Sequence, residues 1–407
     1  MHLSSIVRVC VALHRLGAGL ADSHNHLTPR MHVLSIFGTR PEAIKMAPLV
    51  TALRDEPQLQ STVCITGQHR EMLAQVMALF DLRADRDLDI MRPNQTLNGL
   101  YARLISSVDE VLESVKPDCV LVHGDTTTAA ACAMAAFHRR IPVGHVEAGL
   151  RSGDIQSPFP EEMNRRFVDS VSTWLFAPTP SSRDALLREN VPGRTWVTGN
   201  TVIDALAATT AKLDAGGVLS DDLAQRYPWL DPDRRLVLVT GHRRENFGEG
   251  FRNICAALHA LAQRPDVQIV YPVHLNPNVR DVVTAELSDL PNVHLIAPID
   301  YLDFVWFMQR AYMILTDSGG VQEEAPYLGK PVLVMRDVTE RPEAVAAGTV
   351  RLVGTSRERI LAESFRLLDD PAVYADFCRR GNPYGDGHAC QRIVDVLCER
   401  PMVEFVP

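Results

Sequence analysis

Three acidic residues in the first half of the chain lie where predicted strands end or a predicted helix starts. Asp125 lies two residues after the apolar run 118–123, Glu147 follows the run 142–146, and Glu161 lies in the first turn of a predicted helix. Because the carboxyl ends of parallel strands meet at one edge of a sheet, we expect the three carboxylates to point into one cleft. Carboxylates that share a site push their pKa values apart, which provides an acid and a base near neutral pH. On the structural alternative, Asp125 caps a helix and Glu161 interacts with a helix dipole.

Two cations are predicted at the same edge of the sheet. Arg40 and Lys45 lie in Gly-Thr-Arg-Pro-Glu-Ala-Ile-Lys, where a buried strand at 32–37 ends and a helix begins near Pro41. Free N–H groups of a helix N-terminus and two cations in one crevice are typical of a site for an anionic ligand. The alternative is two solvated surface cations.

The second half of the chain contains a pattern that favours a bound diphosphate. In Thr-Asp-Ser-Gly-Gly, the backbone of Gly319 and Gly320 and the hydroxyl of Ser318 precede a predicted helix and can hold phosphate oxygens. Glu324 lies about one turn later, where it can accept hydrogen bonds from ribose hydroxyls, and Arg341 follows in Arg-Pro-Glu. A simple helix cap is the alternative. The sequence has no G-x-G-x-x-G motif after a strand and no Walker A motif, so a nucleoside-diphosphate conjugate is favoured over a dinucleotide or ATP.

Histidines and cysteines add one candidate and exclude two classes of site. His242, in Gly-His-Arg-Arg-Glu-Asn at the end of a predicted strand, can titrate near pH 7, although a buried structural histidine is the alternative. His274 ends another strand. No pair of these histidines has a third ligand at metal-binding spacing, which predicts no metal. The eight cysteines form no C-x-x-C pair and several lie in apolar segments, which indicates a reducing, cytoplasmic location.

The elements that must position these residues form two series in which strands alternate with helices. Such alternation predicts parallel βαβ units, and two series predict an α/β fold of two Rossmann-like, doubly wound domains that face a cleft. The predicted strands are 32–37, 62–66, 118–123, 142–146 and 174–177, then 235–240, 267–273, 293–297, 313–316 and 331–335. The predicted divisions are an N-terminal extension at 1–30, a first domain at 31–200, a second, ligand-binding domain at 201–382, and a tail at 383–407 whose helix, near 387–399, packs back across the domains. A surface connection is predicted at 215–233.

Composition narrows the class of partner. A chain of 407 residues is long enough for two domains, and 46% hydrophobic with 22% charged residues is typical of a globular protein. A net charge of −9 without a long basic run argues against nucleic acid or an anionic membrane as the main partner. No apolar run approaches the ~20 residues of a membrane span.

Taken together, the motifs resemble those of the bacterial non-hydrolysing UDP-N-acetylglucosamine 2-epimerases. The resemblance runs from about Met31 to about Arg392 and rests on FGTRPEAIKMAPL, TGQHREML, HGDTTT, GHVEAGLRSGD, PEEMNRR, GNTVID, TGHRREN, YPVHLNPNV, TDSGGVQEEAP and LGKPVLVMRDVTERPEA. It implies a glycosyltransferase-B-like pair of domains, a homodimer, and UDP-N-acetylglucosamine bound between the domains. It also implies elimination of UDP to a 2-acetamidoglucal and re-addition on the other face, without a cofactor.

The resemblance also implies roles for individual residues. The proton chemistry falls to Asp125, Glu147 and Glu161, without a decision on which is acid and which is base, and His242 helps to stabilise the departing UDP. The implied substrate-binding residues are Arg40, Lys45, Ile299, Phe304, Ser318, Gly319, Gly320, Glu324 and Arg341, with Ile299 and Phe304 beside uracil. A second site for the substrate as activator is implied at Gln68, His69, Arg243 and His274. Glu71 departs from the Gln of some relatives beside that second site.

Three alternative functions remain open at this point. A glycosyltransferase of the same fold would also bind UDP, but it needs an acceptor pocket. A hydrolysing epimerase would release free N-acetylmannosamine. A catalytically silent nucleotide-sugar sensor would not need the three carboxylates.

Overall fold

The first half of the chain forms one parallel sheet. The computed structural model describes residues 30–67, 70–92, 94–215 and 217–407, so nearly all of the predicted extension at 1–30 lies outside the described residues. The strands are β1 (Met31–Phe37), β2 (Leu59–Ile65), β3 (Arg86–Asp87), β4 (Cys119–His123), β5 (Val143–Val146), β6 (Trp174–Ala177) and β7 (Arg194–Val197). The helices are α1 (Arg40–Asp55), α2 (Arg70–Leu79), α3 (Leu97–Val115), α4 (Thr127–His138), α5 (Glu161–Val171), α6 (Pro180–Arg188) and α7 (Thr201–Asp214). The strand order is β3-β2-β1-β4-β5-β6-β7.

The second half repeats this architecture. Its strands are β8 (Arg235–Thr240), β9 (Val267–Pro272), β10 (Val293–Ile296), β11 (Ala311–Thr316), β12 (Val332–Val334) and β13 (Val350–Leu352), in the order β10-β9-β8-β11-β12-β13. Its helices are α8 (Val218–Arg226), α9 (Glu249–Leu261), α10 (Pro277–Leu287), α11 (Tyr301–Arg310), α12 (Gly319–Glu324), α13 (Pro342–Ala346), α14 (Arg357–Asp369), α15 (Pro371–Cys378) and α16 (Ala389–Leu397). All pairings between these strands are parallel.

Both sheets reverse their strand order at one point, between β1 and β4 and between β8 and β11. Ligands of open α/β sheets bind outside the carboxyl ends of the strands at such points. The predicted fold class of two doubly wound domains is therefore confirmed.

Local sequence explains the element that enters the first crevice. β1 ends in a buried run, and α1 begins with Thr39 as its N-cap and Pro41 in its first turn. The Thr39 side chain accepts from the Glu42 N–H, while the Glu42 carboxylate accepts from the Thr39 N–H at 2.7 Å. This reciprocal cap fixes the direction in which α1 leaves the sheet.

The chain crosses between the two sheets twice, at adjacent points. The first crossing follows β7 at Gly199 and Asn200, and the second precedes α16 at Tyr384 and Gly385; the Asn200 N–H donates to the Tyr384 carbonyl at 2.7 Å. After the second crossing α16 returns to the first half, where Ile393, Val394 and Leu397 join the core beside α1.

A buried carboxylate holds the start of the returning helix. Asp204 on α7 accepts from the backbone N–H groups of Ala389 and Cys390 at 3.2 and 2.8 Å. The C-terminal helix thus leaves the second half of the chain and packs against the first.

The prediction from sequence missed several elements. The three short strands β3, β7 and β13 were not predicted, and the predicted surface connection at 215–233 contains α8. The predicted helix after Gly319 is an α-helix only to Glu324 and continues as a 3₁₀ turn over Ala325–Leu328, because Pro326 cannot donate to an α-helical bond.

Candidate active site

A cavity of about 460 Å³ lies at the carboxyl ends of the strands and has walls from both halves of the chain. Its lining includes the charged or titratable residues Glu42, Lys45, His123, Asp125, Glu147, Arg151, Glu161, Arg165, Arg243, Glu340 and Arg341. The three predicted carboxylates, Asp125, Glu147 and Glu161, therefore line one cavity. Lys45 and Arg341 reach it from opposite halves.

Asp125 lies in the turn between β4 and α4, and it is not the helix cap. Thr126 caps α4 through its hydroxyl, so the structural alternative for Asp125 is wrong. The Asp125 carboxylate pairs with Arg165 on α5, and the Asn164 side-chain amide donates to the Asp125 carbonyl at 2.9 Å. The turn is therefore held to α5 from two sides.

Glu147 is the centre of a buried ion-pair cluster. Its carboxylate pairs with Lys45, whose ammonium lies 3.8 Å from the Glu323 carboxylate, and Glu323 pairs with Arg341. The Asn200 amide donates to Glu147 at 3.0 Å and to Glu323 at 3.3 Å. The negative charges of two carboxylates and the positive charges of two cations balance in this cluster, and the four residues come from both halves of the chain.

The pKa values in this cluster move in directions that the sequence did not predict. Burial raises the pKa of Glu147, but Lys45 and Arg341 outweigh it and hold that pKa well below its usual range. Burial lowers the pKa of Lys45, but Glu147 and Glu323 leave it raised overall. For Glu147, the expectation that neighbouring carboxylates set the pKa is therefore wrong, because the cation in contact has the greater effect.

His123 is a neighbour of Glu147 that was not predicted as a site residue. Its Nε2 lies 3.7 Å from a Glu147 oxygen and has no hydrogen-bond partner among the described residues. Burial lowers the pKa of His123 to about 3, so the imidazole is neutral. Its position directly before Gly124 and Asp125, in the quoted HGDTTT motif, is the signal that could have found it.

Two adjacent glutamates at the start of α5 have different environments. Glu161 lines the cavity and is partly exposed. Glu162 is buried, and it accepts from the Ser152 N–H at 2.9 Å, from Arg166 at 2.8 Å and from Arg165 at 3.2 Å. The carboxylate oxygens of Glu162 are thus hydrogen-bonded within the protein, whereas Glu161 faces the cavity.

A second group lies beside this cavity, where the start of α1 meets the start of α11. Arg40 donates to the Ile299 carbonyl at 3.4 Å across the two halves, and burial lowers its pKa despite Asp300 and Glu324 nearby. Tyr301 donates to Glu324 at 2.6 Å. Burial raises the pKa of Glu324 to about 7, while the Tyr301 hydrogen bond opposes the rise.

Phe304 and the Ser-Gly-Gly turn complete the second-half residues predicted to bind substrate. Phe304 is partly buried against the core of the second sheet. A Cβ added at Gly319 would lie 3.7 Å from the Arg341 guanidinium, so the start of α12 and Arg341 are neighbours. Neither Gly319 nor Gly320 has a positive φ. Their role is therefore to leave room for a ligand beside the backbone, because they have no side chain.

The remaining predicted residues form a third group around the buried Asp317. Asp317 accepts from the backbone N–H groups of His242 and Arg243 at 2.9 and 2.8 Å, and one of its oxygens lies 3.4 Å from the His242 ring. The His242 side chain is 42% exposed and stacks on His274, with ring centroids 5.6 Å apart. Burial lowers the pKa of His242. Arg243 lines the cavity, but His242 does not.

Parts of the prediction lie outside the described residues. Gln68 and His69, predicted for the second substrate site, are among them, so the structure places only Arg243 and His274 of that set. Within residues 30–67, 70–92, 94–215 and 217–407, no group of three or more His, Cys, Asp or Glu residues has an arrangement that could hold a metal ion. Over the same ranges no helix has the length and apolar character needed to cross a bilayer.

A larger cavity, of about 840 Å³, lies at the opposite end of the first sheet, beside Met31, Trp174 and Trp196. Met31 and Trp174 are the first residues of β1 and β6, so this cavity lies at the amino ends of these strands, whereas ligands of open α/β sheets bind at the carboxyl ends. The smaller, charged cavity is therefore the candidate active site.

Comparison with known proteins gives consistent matches over most of the chain. The family model described as UDP-N-acetylglucosamine 2-epimerase matches residues 51–398. A UDP-N-acetylglucosamine 2-epimerase of Escherichia coli O157:H7 is 58% identical over 369 residues, which cover 90% of this chain and 98% of that protein.

Solved structures agree with the sequence matches. The crystal structure of UDP-GlcNAc 2-epimerase from Neisseria meningitidis bound to UDP-GlcNAc is 52% identical, with a TM-score of 0.85 over 91% of this chain and 100% of that one. The Methanocaldococcus jannaschii UDP-GlcNAc 2-epimerase in complex with UDP-GlcNAc and UDP is 32% identical, with a TM-score of 0.75 over 91% and 100% of the two chains.

Proposed function

Because the chain belongs to the UDP-N-acetylglucosamine 2-epimerase family, we propose that its cavity interconverts UDP-N-acetylglucosamine and UDP-N-acetylmannosamine without net hydrolysis. The observation that carries the proposal is the meeting of Asp125, Glu147 and Glu161 with Lys45 and Arg341 around one cavity. Acids can move the proton at C2, and cations can stabilise the departing diphosphate.

The proposed reaction proceeds by elimination and addition. The C2 proton of the sugar is not next to a carbonyl in the ring, so direct abstraction is difficult. One carboxylate takes this proton, and the electron pair of the C2–H bond forms the C1–C2 double bond of a 2-acetamidoglucal. At the same time the C1–O bond breaks, and its electron pair leaves with the diphosphate. Protonation of C2 on the other face and attack of the diphosphate oxygen on C1 then give the epimer. Asp125, Glu147 and Glu161 are the proposed acids and bases, and the reaction needs no cofactor.

The ion-pair cluster has a consequence for the order of events. In the free protein Lys45 holds the pKa of Glu147 low, which makes this carboxylate a weak base. A bound diphosphate adds negative charge beside Lys45 and Arg341 and competes with Glu147 for them. The pKa of Glu147 therefore rises when substrate is present.

The other proposed contacts follow the second group of residues. Glu324 accepts from the ribose hydroxyls, the Ile299 backbone and the Phe304 ring flank uracil, and Arg40 and His242 stabilise the UDP together with Ser318, Gly319 and Gly320. Positions support the assignments of Arg40, which interacts with Glu324 and bonds the Ile299 carbonyl, and of Gly319 and Gly320, which lie beside Arg341 and Glu324. The assignments of Phe304 and His242 rest on the family motifs alone.

We also propose a homodimer in the cytoplasm, activated by its own substrate at a second site. Arg243, which lines the cavity, and His274, which stacks on His242, support the second site; Gln68 and His69 are proposed to complete it. A rate that depends sigmoidally on UDP-N-acetylglucosamine concentration is expected, and a hyperbolic dependence contradicts the activation.

Sedimentation velocity tests the proposed homodimer. The product is proposed to feed surface polysaccharide synthesis.

The direct test is proton NMR of the protein with UDP-N-acetylglucosamine in D₂O. UDP-N-acetylmannosamine with deuterium at C2 is the expected product. Free N-acetylmannosamine and UDP would identify a hydrolysing enzyme, and an unchanged spectrum from folded, UDP-binding protein would favour a transferase or a sensor.

Asp125→Asn tests the carboxylates. We expect kcat to fall at least ~100-fold, the scale of one acid–base group, with UDP binding retained. Asp289→Asn, at an exposed residue remote from the cavity, is the matched control. Unchanged turnover in Asp125→Asn would remove this residue from the mechanism.

A further inference from the structure

His145 is a buried histidine with both ring nitrogens in contact with the protein. It lies on β5, two residues before Glu147, and its side chain has no exposed surface. Nδ1 lies 2.6 Å from an Asp169 oxygen, and Nε2 lies 2.8 Å from the Gly124 carbonyl oxygen. Neither the motif analysis nor the proposed function gives this residue a role.

The neighbours of Asp169 determine how the ring donates. The second oxygen of Asp169 pairs with Arg151 at 2.7 Å, and Arg151 also pairs with Glu189. A carboxylate held by a guanidinium is ionised and accepts hydrogen bonds. Since a carbonyl oxygen also only accepts, both ring nitrogens of His145 face acceptors and both must carry protons.

The hydrogen bond from His145 is to the carbonyl of Gly124, the residue directly before Asp125. Gly124 has a φ of +63°, and its N–H donates to the Val146 carbonyl at 2.9 Å. The turn is therefore fixed to β5 through both backbone groups of Gly124, one of them by His145. Asn164 and Arg165 hold Asp125 itself from α5.

We propose that His145 is a positioning residue for Asp125: a doubly protonated ring, balanced by Asp169, that fixes the Gly124–Asp125 turn through its Nε2–H. His145 does not line the cavity and acts only through the turn. The inference rests on the proposed function, because that function assigns Asp125 to the proton chemistry.

Two variants separate the hydrogen bond to Gly124 from the charge. In His145→Gln both ring contacts are lost, and we expect kcat to fall ~10- to 100-fold while KM and the Kd of UDP change less than ~3-fold. In Asp169→Asn the amide can donate to Nδ1, so a neutral ring still donates its Nε2–H to Gly124; we expect kcat to stay within ~3-fold of the parent. His32→Gln, at another histidine of the first sheet that bonds Thr62, is the control and should leave kcat unchanged.

NMR of the parent protein labelled with ¹⁵N-histidine tests the contacts directly. Two ring N–H protons are expected for His145 at neutral pH, and one of them should be lost in Asp169→Asn. This measurement does not depend on the folding of His145→Gln.

Several results would overturn the inference: a single ring N–H in the parent, a folded His145→Gln with unchanged kcat, or a parallel loss of UDP affinity and kcat in that variant. A large loss of kcat in Asp169→Asn with the Nε2–H retained would also contradict positioning through Gly124. If the parent does not epimerise UDP-N-acetylglucosamine, the proposed function fails, whereas the NMR spectra and the UDP titration still test the contacts of His145.

Discussion

Glu324→Gln should change the number of protons released when the nucleotide sugar binds. Burial raises the pKa of Glu324 to about 7, so about half of the free protein is protonated there at pH 7. Ribose hydroxyls that donate to this carboxylate favour its ionised form, and binding therefore expels the proton. The expected release through Glu324 is roughly 0.9 proton at pH 6, 0.5 at pH 7 and 0.1 at pH 8.

The same linkage sets the size of the affinity change. If the ribose returns the pKa of Glu324 toward its ordinary 4.5, affinity should weaken about 10-fold between pH 8 and pH 6, which is about 1.4 kcal/mol. The sign follows from competition, because a proton must leave before the hydroxyls can donate. Glu324→Gln has no such proton, so its affinity lacks this component.

Calorimetry in two buffers with different ionisation enthalpies measures the proton count. UDP-N-acetylglucosamine is a suitable ligand because its diphosphate diester has no group that titrates near pH 7. The Asp125→Asn background keeps the ligand intact, and Glu324→Gln is compared within it, so that protons from His242 cancel. Tyr301→Phe removes a donor that lowers the pKa of Glu324, and the release should then extend to higher pH. Equal proton release at pH 6 from the Asp125→Asn protein with and without the Glu324→Gln substitution would refute the reasoning.

Three further substitutions test the contacts around the site. Lys45→Met removes a cation of the proposed diphosphate site, and the Kd of UDP should rise about 10- to 100-fold, the scale of a charged hydrogen bond; an unchanged Kd in calorimetry would exclude the contact. The same variant should raise the pKa of Glu147, as seen by carboxyl ¹³C NMR. Glu42→Ala should lower the free energy of unfolding by about 2 kcal/mol, because it leaves the backbone N–H groups of Gly38 and Thr39 without their acceptor; an equal denaturation midpoint would contradict this. Asp204→Ala removes the cap of α16, and amide hydrogen exchange should accelerate there by about 5- to 30-fold, corresponding to about 1–2 kcal/mol, but not in α10, which serves as the control.

The sequence was sufficient where a local pattern decides the structure. Apolar runs such as 118–123 predict buried parallel strands because both faces of such strands are covered. The missed strands are short edges: β3 has only two residues, Arg86 and Asp87, both exposed, and its pairing with β2 is set by the neighbouring strand rather than by its own composition.

The sequence was insufficient where residues distant in the chain meet. Lys45 was predicted beside a phosphate, but its pairing with Glu147 joins α1 to the end of β5, 102 residues apart. The pKa of Glu324 is set in the same way by tertiary packing, because burial raises it and the hydrogen bond from Tyr301 opposes the rise. Spacing places such residues at the right edge of a sheet, but the partner that sets their charge comes from tertiary packing.

We propose that the adjacent crossings of the chain between its two sheets act as the fulcrum for any rotation of one half of the chain against the other. Asn200 belongs to that fulcrum through its backbone bond to Tyr384, and its side chain holds Glu147 and Glu323. When one half rotates against the other, atoms near the axis move little, while atoms farther out sweep through a longer arc. In such a rotation we expect the carboxylates at Asn200 to keep their mutual distances and the outer walls of the cleft to make the larger movement.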